Sequence, residues 1–168
     1  PIGQKLIKRH PMETLRSFPL NAWYVAAWSH EVGKREPLAR TVCSKKMVLW
    51  RKSDGSVAAL EDVCWHRLAP LSLGWLEKDS VVCRYHGLAV DGKGQCTHMP
   101  SQDRLNPQAK VHAYPVIERF RYVWVWPGDP ALADPALLPD MHWNDDPEWE
   151  GDGKTLHAKC KPGAIRCG

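Results

Sequence analysis

The sequence predicts an all-β fold, a small antiparallel sandwich or barrel that presents two cysteine–histidine loops. Three observations lead there. Short runs rich in aromatic and β-branched residues recur along the chain, with turn residues between them. Hardly any stretch carries helical periodicity. Two compact loops, Cys64-Trp65-His66-Arg67 and Cys83-Arg84-Tyr85-His86-Gly87, each contribute one thiol and one imidazole. At 168 residues the chain is long enough to bury a core around such loops.

Residues 20–28 hold Trp23, Tyr24, Val25 and Trp28 and read as the first strand. Residues 38–43 and 46–52 read as two more, and Asp54-Gly55 turns the chain into a fourth at 56–61. The first Cys/His loop follows. Val81-Val82-Cys83 brings the chain back to the second loop, and Leu88-Ala89-Val90 leads away from it. Asp91-Gly92-Lys93-Gly94 is a turn into residues 95–98, and the polar stretch 99–110, with Pro100 and Pro107, reads as a surface loop. Residues 111–118 and 121–126 form a last hairpin closed by Pro127-Gly128. Alternating large residues in Arg121-Tyr122-Val123-Trp124-Val125-Trp126 suit cross-strand packing better than a ligand cage. From 129 to 153 the composition turns to Pro, Asp and Trp without periodicity, which reads as a connector crossing the domain surface, pinned by His142, Trp143 and Trp149. Residues 154–160 read as one strand of something new.

The formal charge of +4 is concentrated at the ends. Residues 1–11 carry three basic and no acidic side chains, and residues 159–168 three more, so residues 12–158 hold 17 basic and 19 acidic groups. That balance gives no support to nucleic-acid binding. No run approaches the eighteen or so apolar residues that span a bilayer, so no membrane partner is expected. Met12 is followed by Glu-Thr-Leu-Arg rather than a secretory apolar run, and residues 1–11 read as a leader before a natural start at Met12. Cys43, Cys96, Cys160 and Cys167 have no regular spacing and read as free thiols, which suits a reducing cytoplasm.

Sixteen residues separate His66 from Cys83. Two mixed Cys/His pairs at this spacing fit a [2Fe–2S] cluster in which two histidines replace two cysteines on one iron. Replacing two thiolates by neutral imidazoles removes negative charge and raises the reduction potential. A tetrahedral Zn²⁺ is the competing reading, although zinc pairs usually match Cys with Cys and His with His across two to five residues. Free side chains are a third. The remaining histidines, His10, His30, His98, His112, His142 and His157, are scattered over turns, strands and connector and form no second metal motif.

Cys64-Trp65-His66-Arg67-Leu68-Ala69-Pro70-Leu71-Ser72 and Cys83-Arg84-Tyr85-His86-Gly87-Leu88 together resemble the Rieske centre of the non-haem iron oxygenases. The likeness is to the aromatic O-demethylase branch, typified by vanillate demethylase and dicamba monooxygenase. Asn21-Ala22-Trp23-Tyr24-Val25-Ala26 and Val123-Trp124-Val125-Trp126-Pro127-Gly128-Asp129-Pro130 extend it over roughly residues 17–160. Trp65 stands where that family usually has Pro, and Arg84 where Gly is common.

The resemblance implies a Rieske-type fold over residues 12–128, a connector at 129–153 and the start of a catalytic domain at 154–168. Cys64 and Cys83 would bind the inner iron, and His66 and His86 the outer one. The implied function is electron relay, from a flavin- or ferredoxin-type reductase to a mononuclear non-haem Fe(II) in a following domain. There, two histidines and a carboxylate leave positions open for dioxygen. The implied assembly is a homotrimer in which His86 meets an Asp of a neighbouring catalytic domain. Vanillate-like or other methoxy-aromatic substrates are implied by the resemblance alone. In that branch the iron ligands follow the strand matching residues 156–160, whereas here Lys161-Pro162-Gly163 follows and no His remains after His157. The chain alone is therefore expected to carry electrons without catalysis. A free-standing Rieske-type ferredoxin is the alternative.

Overall fold

The computed structural model describes residues 18–151, except Ser101 and Asp103. The leader, Met12, the strand expected at 154–160, the tail beyond it, Cys160, Cys167, His10 and His157 lie outside the described residues.

Ten strands form among the described residues. They are β1 (Tyr24–Trp28), β2 (Leu38–Val42), β3 (Lys45–Arg51), β4 (Val57–Glu61), β5 (Trp75–Glu77), β6 (Ser80–Val82), β7 (Ala89–Asp91), β8 (Cys96–His98), β9 (Val116–Arg119) and β10 (Tyr122–Val125). The described residues contain short 3₁₀ turns but no α-helix, and no helix long and apolar enough to cross a membrane. The strands make three antiparallel sheets, ordered β1-β10-β9, β2-β3-β4 and β5-β6-β7-β8. The sheets stay separate instead of closing into a barrel, so the sandwich half of the expectation describes the fold.

The sheet β2-β3-β4 is the middle layer, and the sequence of β3 explains why. Met47, Val48, Leu49 and Trp50 are consecutive and fully buried. A strand shows successive side chains to opposite faces, so an unbroken apolar run must be covered on both. Met47 and Leu49 pack with Val123 and Val125 of β10. Val48 and Trp50 pack with Val81, Val90, Cys64 and Cys83 on the loop-bearing side.

The paired tryptophans of β10 and its flank settle the outer face of β1-β10-β9. Trp124 and Trp126 are buried with Trp23 against Ala133, Leu138 and Met141 of the connector. Trp23 and Trp126 donate their indole N–H groups to the carbonyls of Asp134 and Asp129, both at 2.8 Å. The aromatic alternation is therefore packing, as expected. Inside the connector, Asp-Pro-Ala-Leu occurs twice, at 129–132 and 134–137. Each copy makes the same 3₁₀ turn, with the Asp carboxylate accepting from the Ala N–H two residues on. The residues that pin the connector differ from those expected. Asn144 donates to the carbonyl of Phe120 (3.3 Å) and Asp145 accepts from its N–H (3.2 Å), while His142, Trp143 and Trp149 are exposed. Two polar side chains aimed at a turn make these contacts, while the rings of His142 and Trp143 meet each other.

Two further departures have local causes. Residues 111–118 are not one strand. Residues 110–114 bridge two sheets, with Val111 N–H donating to Gly94 and Tyr114 N–H to Ala59, and strand β9 starts only after Pro115, which has no N–H to give. The hairpin β5–β6 has no counterpart in the sequence reading, because its turn, Lys78-Asp79, lacks the usual glycine. Lys78 takes a left-handed φ of 54° there.

Candidate metal centre

Both Cys/His loops emerge from the same end of the sheet β5-β6-β7-β8. The first joins β4 to β5 and the second joins β6 to β7. Their backbones are built alike. Cys64 N–H donates to Ala69 O (2.8 Å) and Leu68 N–H to Cys64 O (2.9 Å). Cys83 N–H donates to Leu88 O (2.8 Å) and Gly87 N–H to Cys83 O (2.9 Å). Each ring needs a left-handed residue four places after its cysteine, supplied by Leu68 (φ 56°) and Gly87 (φ 72°). Glycine takes that conformation without strain, and leucine does not.

The repeated loop brings the four side chains together in two pairs. Cys64 and Cys83 lie in the core, 2% and 1% exposed, with their thiols in hydrogen-bonding contact. His66 and His86 are exposed, with Nδ1 atoms 3.1 Å apart and ring centroids 4.6 Å apart. Burial pushes the Cys64 thiol up. The backbone N–H groups of His66 and Arg67, directed at its sulfur, act the other way. Asp62 fastens the first loop at its base, accepting from Ser72 N–H at 2.7 Å and Ser72 Oγ–H at 2.6 Å. Gly87 packs under Pro100, whose Cγ would lie 3.0 Å from an added Cβ. A cleft of about 130 Å³ opens beside the imidazoles, lined by Trp65, His66, His86, Met99, Pro100 and Gln102.

This arrangement discriminates between the metals considered. Among the described residues no three His, Cys, Asp or Glu side chains converge on one point, as a mononuclear zinc site requires. Two separate pairs suit a two-iron group with two protein ligands on each iron. The imidazole spacing fits too, since two nitrogens on one tetrahedral ion of zinc-like radius would stand about 3.3 Å apart. Among the described residues Cys43 and Cys96 form no disulfide; Cys96 is packed in the same core cluster as Cys64 and Cys83, and Cys43 in the cluster on the other face of β3.

The family model of the Rieske [2Fe-2S] domain matches residues 22–115, which span both loops. The chain belongs to the Rieske [2Fe–2S] domain family. This Rieske chain is 46% identical over 143 residues to the vanillate O-demethylase oxygenase subunit of Pseudomonas sp. strain HR199, covering 85% of this chain and 40% of that protein. It is also 46% identical over 145 residues to the dicamba O-demethylase oxygenase component of Stenotrophomonas maltophilia, covering 86% and 42%. Among solved structures, dicamba monooxygenase with non-haem iron and dicamba superposes with a TM-score of 0.75 and 48% identity, over 78% of this chain and 40% of that one. The chain thus spans about two fifths of the length of the curated relatives it matches.

The sequence reading named both loops but missed what shapes them. The signals were present. Gly87 stands four places after Cys83, Leu68 four places after Cys64, and Asp62 and Ser72 bracket the first loop. None reads as a set until the hydrogen bonds are seen.

Proposed function

We propose that this chain is the electron-relay Rieske portion of an aromatic O-demethylase-type monooxygenase, with Cys64 and Cys83 holding one iron and His66 and His86 the other. The observation that carries this reading is the sorting of the four side chains into a buried thiol pair and an exposed imidazole pair at one end of the molecule. Bound there, a [2Fe–2S] group supplies storage for a single electron. The chain's own residues do the rest. The thiols anchor the inner side away from water. The N–H groups of His66 and Arg67 offset negative charge on Cys64 sulfur. The imidazoles present the short route between metal and surface.

The proposed organisation is a Rieske domain at 12–128, a connector at 129–153 and the beginning of a catalytic domain at 154–168, within a larger protein. Its partners are a flavin- or ferredoxin-type reductase and, through the exposed His86, the acceptor domain of a neighbouring subunit in a homotrimer. The proposed substrate class is methoxy- and related substituted aromatics, from the names of the relatives. A reducing cytoplasm is the proposed compartment, in keeping with the free thiols of Cys43 and Cys96.

Anaerobic reconstitution of the chain with iron and sulfide tests the ligand set. The expected product is coloured, holds two irons per chain, and after one-electron reduction gives the electron paramagnetic resonance signal of a mixed imidazole–thiolate cluster. Substituting His66 or His86 by Ala should abolish that signal. A colourless zinc protein, or a signal surviving both histidine substitutions, would overturn the assignment.

A further inference from the structure

We propose that Met99 is a peroxide-sensitive modification site, at which conversion of the thioether to the sulfoxide loosens the second Cys/His loop and releases the metal group. The inference goes beyond electron relay and rests on the ligand assignment above.

Place is the first argument. Met47, Met99 and Met141 fall among the described residues. Met47 is fully buried on the β10 side of β3, and Met141 packs with the tryptophans on the outer face of β1-β10-β9. Both side chains lie on the far side of β3 from the ligand loops. Met99 alone of the three packs in the core cluster that holds Cys64, Cys83 and Leu88. It is 7% exposed, and it lines the cleft of about 130 Å³ that opens beside His66 and His86. That cleft has room for a solute of hydrogen peroxide's size. Met99 therefore borders both the apolar core around the thiols and an opening to solvent.

Support of the second loop is the other argument. Leu88 shares the core cluster and the cleft with Met99. Pro100 packs on Gly87, with its Cγ 3.0 Å from where a Cβ on that glycine would lie. Residues 99 and 100 thus back the two positions that follow His86. Those positions close the ring that aims the ligands, since Cys83 N–H donates to Leu88 O and Gly87 N–H to Cys83 O. A sulfoxide at 99 is strongly polar, and among the described residues no polar or charged side chain is buried to partner it. It turns out toward the cleft and takes the backing away from Gly87 and Leu88.

The oxidant is hydrogen peroxide, the two-electron reduction product of dioxygen. The thioether sulfur attacks one peroxide oxygen, an S–O bond forms as the O–O bond breaks, and the second oxygen leaves as water. Sulfur loses two electrons and peroxide gains them. Thiol-dependent sulfoxide reductases reverse the change, forming a disulfide and water as the thioether returns.

Timed treatment of the reconstituted chain with hydrogen peroxide tests the proposal, read by visible absorbance and by mass spectrometry of the peptide that contains Met99. The unsubstituted chain should bleach in step with the gain of one oxygen at Met99. Met99→Leu is close in volume and has no sulfur to oxidise, so it should bleach about tenfold more slowly. Met141→Leu should bleach like the unsubstituted chain. Once bleached, the unsubstituted chain should reload with iron and sulfide after treatment with methionine sulfoxide reductases, and not after dithiothreitol alone. Bleaching of Met99→Leu at the unsubstituted rate, or before Met99 gains oxygen, overturns the proposal, because peroxide then attacks the metal group directly. Full reloading after dithiothreitol alone overturns it too, by pointing to the cysteines. If the chain gives no cluster signal before peroxide is added, the ligand assignment has failed instead. Loosening is then read by hydrogen exchange across residues 83–88 of the metal-free chain, and no rise on oxidation of Met99 overturns the switch.

Discussion

At the scale of single residues, the two loops differ most at Leu68 and Gly87, which do the same backbone work with unequal ease. Leu68→Gly should stabilise the reconstituted protein by about 1 kcal/mol, since the left-handed strain disappears and little buried surface is lost. Gly87→Ala should destabilise it by about 1–2 kcal/mol or more, because strain is added and the new Cβ meets Pro100 at 3.0 Å. Thermal melts of the two variants should move in opposite directions. A further prediction concerns Cys83. Between the cysteines and the buried Leu71 and Leu88 the loop residues are exposed or half-buried, so the metal provides much of their order. Cys83→Ser should raise hydrogen exchange across 64–72 and 83–88 while β3 and β10 keep their protection. Uniform loss throughout the domain would contradict this picture. Sequence motifs exposed the four proposed ligand residues but not the supporting ones, because ligand chemistry is written in residue type and support is written in backbone geometry.

At the scale of elements, three hairpins turn on residues that carry no usual turn signal. Cys43-Ser44 between β2 and β3, and Phe120-Arg121 between β9 and β10, both take left-handed φ values, the pattern of a type I′ turn normally filled by Asn-Gly. Ser44→Gly should therefore raise stability by about 1 kcal/mol without altering the loops, measurable by denaturant titration. The strands on either side were legible from their composition, whereas β5 was not, being short and half exposed with Lys78 at its turn. Arg51 of β3 and Glu118 of β9 join two sheets through paired bonds of 2.7 Å. The Arg51 guanidinium holds the Glu118 carboxyl below its ordinary 4.5, against a smaller upward push from burial. A depressed carboxyl stabilises the fold above its unfolded value and loses that contribution as pH falls through the folded one. Acid titration should show the wild type losing stability below about pH 4.5, with a shallower loss in Glu118→Gln.

At the scale of the whole molecule, the prediction is a reduction potential at the low end of the Rieske range, on the order of −150 mV. High-potential Rieske proteins resemble this one in ligand spacing but add a disulfide between the loops and a Ser beside the second histidine. Here Leu68, Ala69 and Tyr85 fill that neighbourhood, and Leu88 offers no side-chain donor to a bridging sulfide. Donors of that kind stabilise the added electron, so their replacement by apolar groups lowers the potential. Potentiometry near +300 mV would contradict the oxygenase-type reading. By itself the sequence determined the all-β class, most strands, the two loops and the chemistry of their thiols and imidazoles, because residue type and spacing are local properties. Tertiary structure alone decided that β3 is covered on both faces, that Ala133, Leu138 and Met141 cover the outer sheet while Asn144 and Asp145 hold the turn at Phe120, and that Lys78 and Lys93 lie far from the arginines. It also decided that two thiols meet in the core while two imidazoles meet at the surface. Those outcomes depend on which faces are buried against which, and burial is fixed by contacts between segments far apart in the chain.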